Sequence, residues 1–247
     1  MVQSNDWQYS LIFFMPDYGP RIATNDLVLY LDAGNSKSFV AGNTIWNDLS
    51  RNGNTANASG TPVFSTDGNG CFDFATATGV NANGASMGFT FNSNMVTTTG
   101  NFTFECWIKN PPTSNQQGMF ANAPGGDGYR FGPSSDGVYY LIAPTYTEGT
   151  ITWPGGSLNS SLWYHVVATW DRASAKRVNT YLNGVYQNFG TMPASQTAFT
   201  ARTPGIVKSA CCTVYTGKLA VMKVYNRLLS DSEILQNYNA TKTRFGL

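Results

Sequence analysis

One histidine, three glutamates and no CxxC pair are found in 247 residues. Acid–base catalysis needs titrating groups positioned around the reacting bond, and glycoside hydrolysis needs a pair of carboxyls. Glu105, Glu148 and Glu233 are far apart in the chain. A nucleophilic triad would have to use His165, and no GxSxG elbow accompanies it. The chain therefore reads as a non-enzyme. Zinc-type cysteine spacing is absent. Cys71, Cys106, Cys211 and Cys212 read as free, mostly buried thiols. Cys106 shares an apolar strand face with Ile108, a poor place for a reactive thiolate.

Charge is also scarce. Charged residues are 12% of the chain, about half the usual share. The net charge is +1, with no run of Lys or Arg, so the footprint of a nucleic-acid binder is missing. No apolar stretch approaches the ~20 residues of a membrane span. The opening MVQSNDWQYSLIFFMPDYGP lacks a basic segment, and Leu11–Met15 is too short for the apolar part of a signal peptide. The expectation is synthesis in the cytoplasm, with no export route of its own and no nucleic-acid or membrane partner.

What the sequence does have is turn formers and aromatics. It holds 25 Gly and 11 Pro, and 14% of its residues are aromatic. A period of two runs through it. In LVLYLD, Leu27, Leu29 and Leu31 share a face. In FTFECWIK, Phe102, Phe104, Cys106 and Ile108 oppose Thr103, Glu105, Trp107 and Lys109. These are strand signals, and WYHVVATW follows the same rule, with His165, Trp163, Val167 and Thr169 on one face. Asn183-Gly184 between alternating residues marks a hairpin. GKLAVMKVYN, apolar on both faces, reads as a central strand. LSDSEILQNYNA reads as helix, with Ser230 and Glu233 forming a capping box. Strands with one terminal helix predict an all-β, two-sheet antiparallel sandwich. Residues 25–247 form this domain. Residues 1–24 form an N-terminal arm or extra strand, covered by its own sheet or by a neighbour.

Several phrases together resemble a known family. They are NDLVLYLDAGNSKSF, WNDLSRNGN, CFDFATATG, FTFECWIK, WYHVVATWD with VNTYLNGV, and GKLAVMKVYNRLLSDSEILQNYNATKTRF. In order and spacing they resemble a laminin G-like, concanavalin A-like lectin jelly roll over about Asn25 to Phe245. The resemblance implies two curved antiparallel sheets, and one fold of this kind hosts many functions. It extends to modules in virion proteins of tailed bacteriophages. That implies a non-enzymatic virion component such as a head decoration, fibre or tail-associated protein. Its partners would be other virion proteins, further copies of itself and cell-surface carbohydrate. The alternative is a carbohydrate-binding lectin module of a bacterial secreted or surface protein, located outside the cell. The jelly-roll glucanases place paired carboxylates on one strand in an E-x-D-x-x-E pattern. ECWIKN lacks it.

Candidate site residues follow from these readings. Carbohydrate binding needs aromatic platforms and amide hydrogen bonders. GVYYLIAPTYTEGTITWPGG supplies Tyr139, Tyr140, Tyr146 and Trp153, with Asn122 and Asp127 nearby in sequence. Trp153, before Pro154-Gly155-Gly156, is expected to be exposed at a strand end. Calcium is a candidate cofactor, and Asp127 and Asp136 are its candidate ligands. The Asp67 and Asp73 loop is a second place to look, although Asp-Gly pairs are turn formers first. Trp7, Tyr9, Leu11, Ile12, Phe13 and Phe14 are candidates for an assembly contact. Glu105 reads as ion-paired or as part of a polar sheet face, Glu233 as a cap, and His165 as a structural strand residue.

Overall fold

Alternating segments of the sequence become strands in the computed structural model, which describes residues 21–75, 87–113, 118–122, 128–142, 147–192, 203–207 and 215–247. In chain order the first strands are β1 (Leu27–Asp32), β2 (Ile45–Trp46), β3 (Ala56–Gly60), β4 (Val63–Ser65) and β5 (Cys71–Asp73). Next come β6 (Met87–Phe91), β7 (Phe102–Lys109), β8 (Phe120–Ala121), β9 (Tyr129–Pro133), β10 (Gly137–Ile142) and β11 (Thr147–Thr152). The last are β12 (Trp163–Asp171), β13 (Arg177–Leu182), β14 (Val185–Thr191), β15 (Gly205–Ile206) and β16 (Lys218–Tyr225). A helix, α1 (Asp231–Thr241), and a 3-10 turn over Lys242–Phe245 close the chain.

The strands pair antiparallel in two sheets. The first runs β14-β13-β12-β7-β16-β5-β4, with β1 also on β16. The second runs β11-β10-β9-β8-β15-β6-β3-β2. Their inner faces meet in one apolar core. Phe102, Phe104, Cys106, Ile108, Val166, Ala168 and Trp170 come from the first sheet, and Trp46, Phe89, Phe120, Phe131 and Val138 from the second. This is the sandwich that the alternation predicts. GKLAVMKVYN is central, as β16 between β7 and β5.

One periodic reading needs correcting. Leu29 and Leu31 point into the main core, but Leu27 joins a separate cluster with Val167, Tyr181 and Ile234. A register shift between Leu27 and Leu29 breaks the alternation.

The hairpin and the helix form where their turn chemistry places them. Asn183 and Gly184 both have positive φ, 50° and 79°, the combination a two-residue hairpin loop needs. Ser230 accepts from the Glu233 backbone while the Glu233 carboxylate accepts from the Ser230 backbone. Arg227 adds a bidentate pair to that carboxylate at 2.7 and 2.8 Å. The helix so started lies on the outer face of the first sheet.

Candidate functional site

The residues with acid–base chemistry collect under α1. Cross-strand register sets Glu105 on β7 beside Lys223 on β16 and Val167 on β12. Lys223 Nζ is 2.5 Å from Glu105 Oε1, and His165 Nε2 is 3.1 Å from the same oxygen. The Asn237 amide of α1 donates to Glu105 Oε2 at 2.6 Å and to the Tyr225 hydroxyl at 3.0 Å. Glu105, Lys223, His165 and Asn237 are all 0% exposed. Burial alone would raise the Glu105 carboxyl, but the Lys223 ammonium and the His165 contact outweigh it and hold it at about 2. Burial pushes His165 down, only partly opposed by Glu105. The group is thus a carboxylate, an ammonium and a neutral imidazole with no path to solvent. It is a structural ion pair, and Glu105 finds its partner in Lys223 rather than in Lys109 of its own strand.

Lys109 pairs elsewhere. Asp67 receives Lys109 and Lys218 at 3.0 and 2.9 Å and the Trp163 indole N–H at 3.2 Å. Burial works against the Asp67 carboxylate, yet these donors bring it down to about 2. Asp73 lies 3.6 Å from Lys218. Both lysines meet Asp67 Oδ2 and the indole meets Oδ1, so both oxygens of this carboxylate already accept from protein donors. Asp136 sits in the β9–β10 turn, where its carboxylate accepts from Ser134 Oγ at 2.8 Å and its carbonyl from Trp153 N at 2.8 Å. That is turn chemistry. Asp127 lies outside the described residues. Among the described residues no cluster of three or more His, Cys, Asp or Glu could hold a metal ion.

The carbohydrate candidates also need correction where they are described. Trp153 is 4% exposed and belongs to the core. Alternation puts it on the inner face with Ile151, and the following Pro154, Gly155 and Gly156 take the solvent side. Tyr140 alternates inward with Val138, and its hydroxyl donates across the sandwich edge to the Thr191 carbonyl at 3.1 Å. Asn122 is buried and accepts from the Tyr129 backbone at 2.7 Å, closing the base of a loop. Tyr139 is buried on the outer face, with the Arg130 guanidinium 6.0 Å from its ring centre. Tyr146 lies outside the described residues, as do Trp7, Tyr9, Leu11, Ile12, Phe13 and Phe14.

An open aromatic surface exists, at a place the pattern did not indicate. Among the described residues the only exposed aromatic side chains are Tyr186 and Phe189, at 45% and 46%. Both are on β14, the edge of the first sheet. Strict alternation would send residues three apart to opposite faces. A register shift in the β13–β14 pairing leaves Gln187 unmatched, so Tyr186 pairs with Tyr181 and Phe189 with Asn179. The bulge therefore turns both rings to the same outer face. Tyr186 meets Tyr181 edge-on at 5.6 Å, and the Arg177 guanidinium lies 5.5 Å from the Phe189 ring. Asn179, beneath Phe189, donates to Thr169 Oγ1 at 3.3 Å, and its side-chain oxygen is buried. Two rings and a guanidinium thus form a shelf beside α1. It can stack flat apolar faces and hydrogen-bond hydroxyls through Arg177, and it carries no acid–base pair.

Solved structures share this architecture. The receptor-binding domain of botulinum neurotoxin type G superposes with a TM-score of 0.62 at 16% identity, covering 87% of this chain and 51% of the toxin domain. The chain thus spans about half the length of the toxin domains it matches. Domain 4 of AbnA, an extracellular GH43 arabinanase of Geobacillus stearothermophilus solved with arabinotriose, matches at 0.63 and 13% identity, with 86% and 98% coverage. A Trypanosoma rangeli sialidase solved with the inhibitor DANA matches at 0.58 and 17% identity, covering 86% of this chain and 32% of the sialidase. At these identities the likeness is one of fold. No curated protein matches the sequence. A family model does, over residues 83–235, more than half the chain. With the two-sheet sandwich, this match identifies the chain as a member of the concanavalin A-like lectin/glucanases superfamily, in its Laminin G 3 family.

Proposed function

We propose that this chain is a non-enzymatic recognition module that binds carbohydrate on the β13–β14 shelf. The observation that carries the reading is the exposed pair Tyr186 and Phe189, turned to one face by the bulge at Gln187. Aromatic rings offer apolar faces to sugar C–H surfaces, while the exposed Arg177 supplies hydrogen bonds to hydroxyls. The arabinanase domain solved with arabinotriose gives a precedent for a sugar ligand on this fold. The burial of Glu105 and His165 under α1 supports the absence of catalysis. The test is a glycan array with the full chain, followed by titration of any hit with Tyr186→Ala and Phe189→Ala. Each substitution should weaken binding at least tenfold and leave the unfolding midpoint nearly unchanged. An array without hits, or hits indifferent to both substitutions, would refute the reading.

A finer reading makes the module part of a phage virion, displayed on a head or tail among other virion proteins and copies of itself. Val185 and Leu235, exposed beside the two rings, favour an assembly role for this edge. Purified protein should then add to heads or tails that lack it. Failure to add to either would count against that location without touching the carbohydrate reading.

A further inference from the structure

We propose that Lys223 and Asn237 condense to a side-chain amide inside the folded chain, with Glu105 carrying the protons. The bond ties α1 to the central strand β16. It consumes the chain's own side chains and forms once, so it makes the chain no enzyme and is independent of the carbohydrate reading.

Three polar side chains share one dry pocket. Lys and Glu are almost never fully buried unless paired, and Asn is mostly exposed. Lys223, Glu105 and Asn237 are each 0% exposed. Asn is a weak helix former, yet it stands on the buried side of α1. Register sets Lys223 directly opposite Glu105, and α1 brings Asn237 over the pair. One carboxylate holds both other groups. Its Oε1 is 2.5 Å from Lys223 Nζ, and its Oε2 accepts from the Asn237 nitrogen at 2.6 Å. Amine and carboxamide are therefore neighbours, and reactants held together need no encounter. The Asn237 oxygen accepts from the Ala23 backbone N–H at 2.7 Å. That donor is aimed at the atom on which negative charge develops when a carboxamide is attacked. The Tyr30 ring, 5.4 Å from Lys223 Nζ, and the Tyr225 hydroxyl, 3.0 Å from the Asn237 nitrogen, line the pocket.

Lys223 first passes an ammonium proton to Glu105 Oε1 along the 2.5 Å contact. Burial helps this transfer, because it discharges both members of a desolvated ion pair. The freed Nζ lone pair attacks Asn237 Cγ, and the C=O electron pair moves onto Oδ1, held by the Ala23 N–H. A half-turn of the Glu105 carboxyl delivers its proton to the Asn237 nitrogen beside Oε2. The Cγ–Nδ2 bond breaks as the C=O bond re-forms, and ammonia leaves. The new amide nitrogen gives its surplus proton to Glu105. An ammonium, a carboxylate and a carboxamide thus become a secondary amide, a carboxylic acid and ammonia. No charge is left in the pocket, and no oxidant or co-reactant is needed. With water excluded, the amide is not hydrolysed. The ion pair is the resting state, so the reaction is slow and the uncondensed chain keeps the pair.

The experiment is the intact mass of the full chain in denaturant, fresh and after a week of incubation in the folded state. The aged chain should be lighter than its sequence by one ammonia. Trypsin cuts after Lys and Arg, so the unlinked chain gives a peptide that ends at Lys223. The linked chain should instead give one branched peptide joining residues 219–227 to residues 228–242. The same chain kept unfolded in urea should give no branched peptide, and neither should Glu105→Gln or Lys223→Met. A folded, aged parent chain of full mass, cut normally at Lys223, would overturn the proposal. Ammonia lost without a branched peptide, as by ring closure at Asn52-Gly53, would overturn it as well. A branched peptide from Glu105→Gln would refute the proton route through Glu105. The parent chain decides the bond by itself, whatever the stability of the variants.

Discussion

Replacing Glu105 by Gln leaves the shape of the buried cluster intact and removes its negative charge. Lys223 Nζ, 2.5 Å from the carboxylate and fully buried, then has no counter-ion. Removing one partner of a buried pair typically costs about 3–5 kcal/mol, because the other charge is left desolvated. The carboxyl agrees in direction, since Lys223 and His165 hold it down against its burial. Glu105→Gln is therefore expected to lose about 3–5 kcal/mol at neutral pH, read from urea unfolding by tryptophan fluorescence. The double variant Glu105→Gln/Lys223→Met removes both charges and should recover part of the loss. Because the folded carboxyl titrates below the unfolded one, its contribution is complete above about pH 4.5 and is lost as pH falls towards 2. The Gln variant should lack that limb of the stability profile. A loss under about 1 kcal/mol, or a double variant as unstable as the single variants combined, would show that the cluster is solvated and that α1 does not seal it.

His165 gives a second acid limb. Burial lowers its folded pKa below the ordinary 6.5, so the unfolded chain takes up a proton first. Its contribution is present above pH 6.5 and declines as pH falls below it. His165→Asn should remove this early decline, leaving the Glu105 limb, in unfolding midpoints measured from pH 7.5 to 4. Trp153→Ala tests the corrected placement of that indole. Emptying a buried site of this size costs about 3–5 kcal/mol, so calorimetry should show a markedly lower Tm. A variant of unchanged stability would return Trp153 to the surface.

The architecture was legible because a period of two survives in most strands. FTFECWIK and WYHVVATW fall on the faces their alternation assigns, and Asn183-Gly184 and Ser230 with Glu233 form the turn and cap that their chemistry specifies. The exposed aromatic edge was not legible, for two physical reasons. An aromatic at a strand end looks the same in sequence whether it turns in or out, and Trp153 turns in with Ile151. Tyr186 and Phe189 share a face only through a one-residue register shift, and nothing local in VYQNFG announces it. Glu105 and Lys223 are 118 residues apart in the chain. Their pairing depends on β7 and β16 being neighbours, which strand order alone decides.

That strand order also explains why the outer face is left open at the β14 edge. An 11-residue helix is about 16 Å long, and strands lie about 4.8 Å apart. α1 can therefore span three or four strands. It begins over β13, where Asp231 accepts from the Tyr181 hydroxyl at 2.8 Å, and ends over β7, where Thr241 accepts from the Trp107 indole at 2.9 Å. Its far end is fixed as well. Phe245 stacks on Trp107 at 4.1 Å, and Arg244 bonds Asp32 and the carbonyls of Gly68 and Gly70. α1 is thus held at both ends over Glu105 and His165, which are fully buried beneath it. The one strand on that side that lies beyond its start is β14. The surface that α1 is too short to cover is the surface on which the bulge sets two aromatic rings.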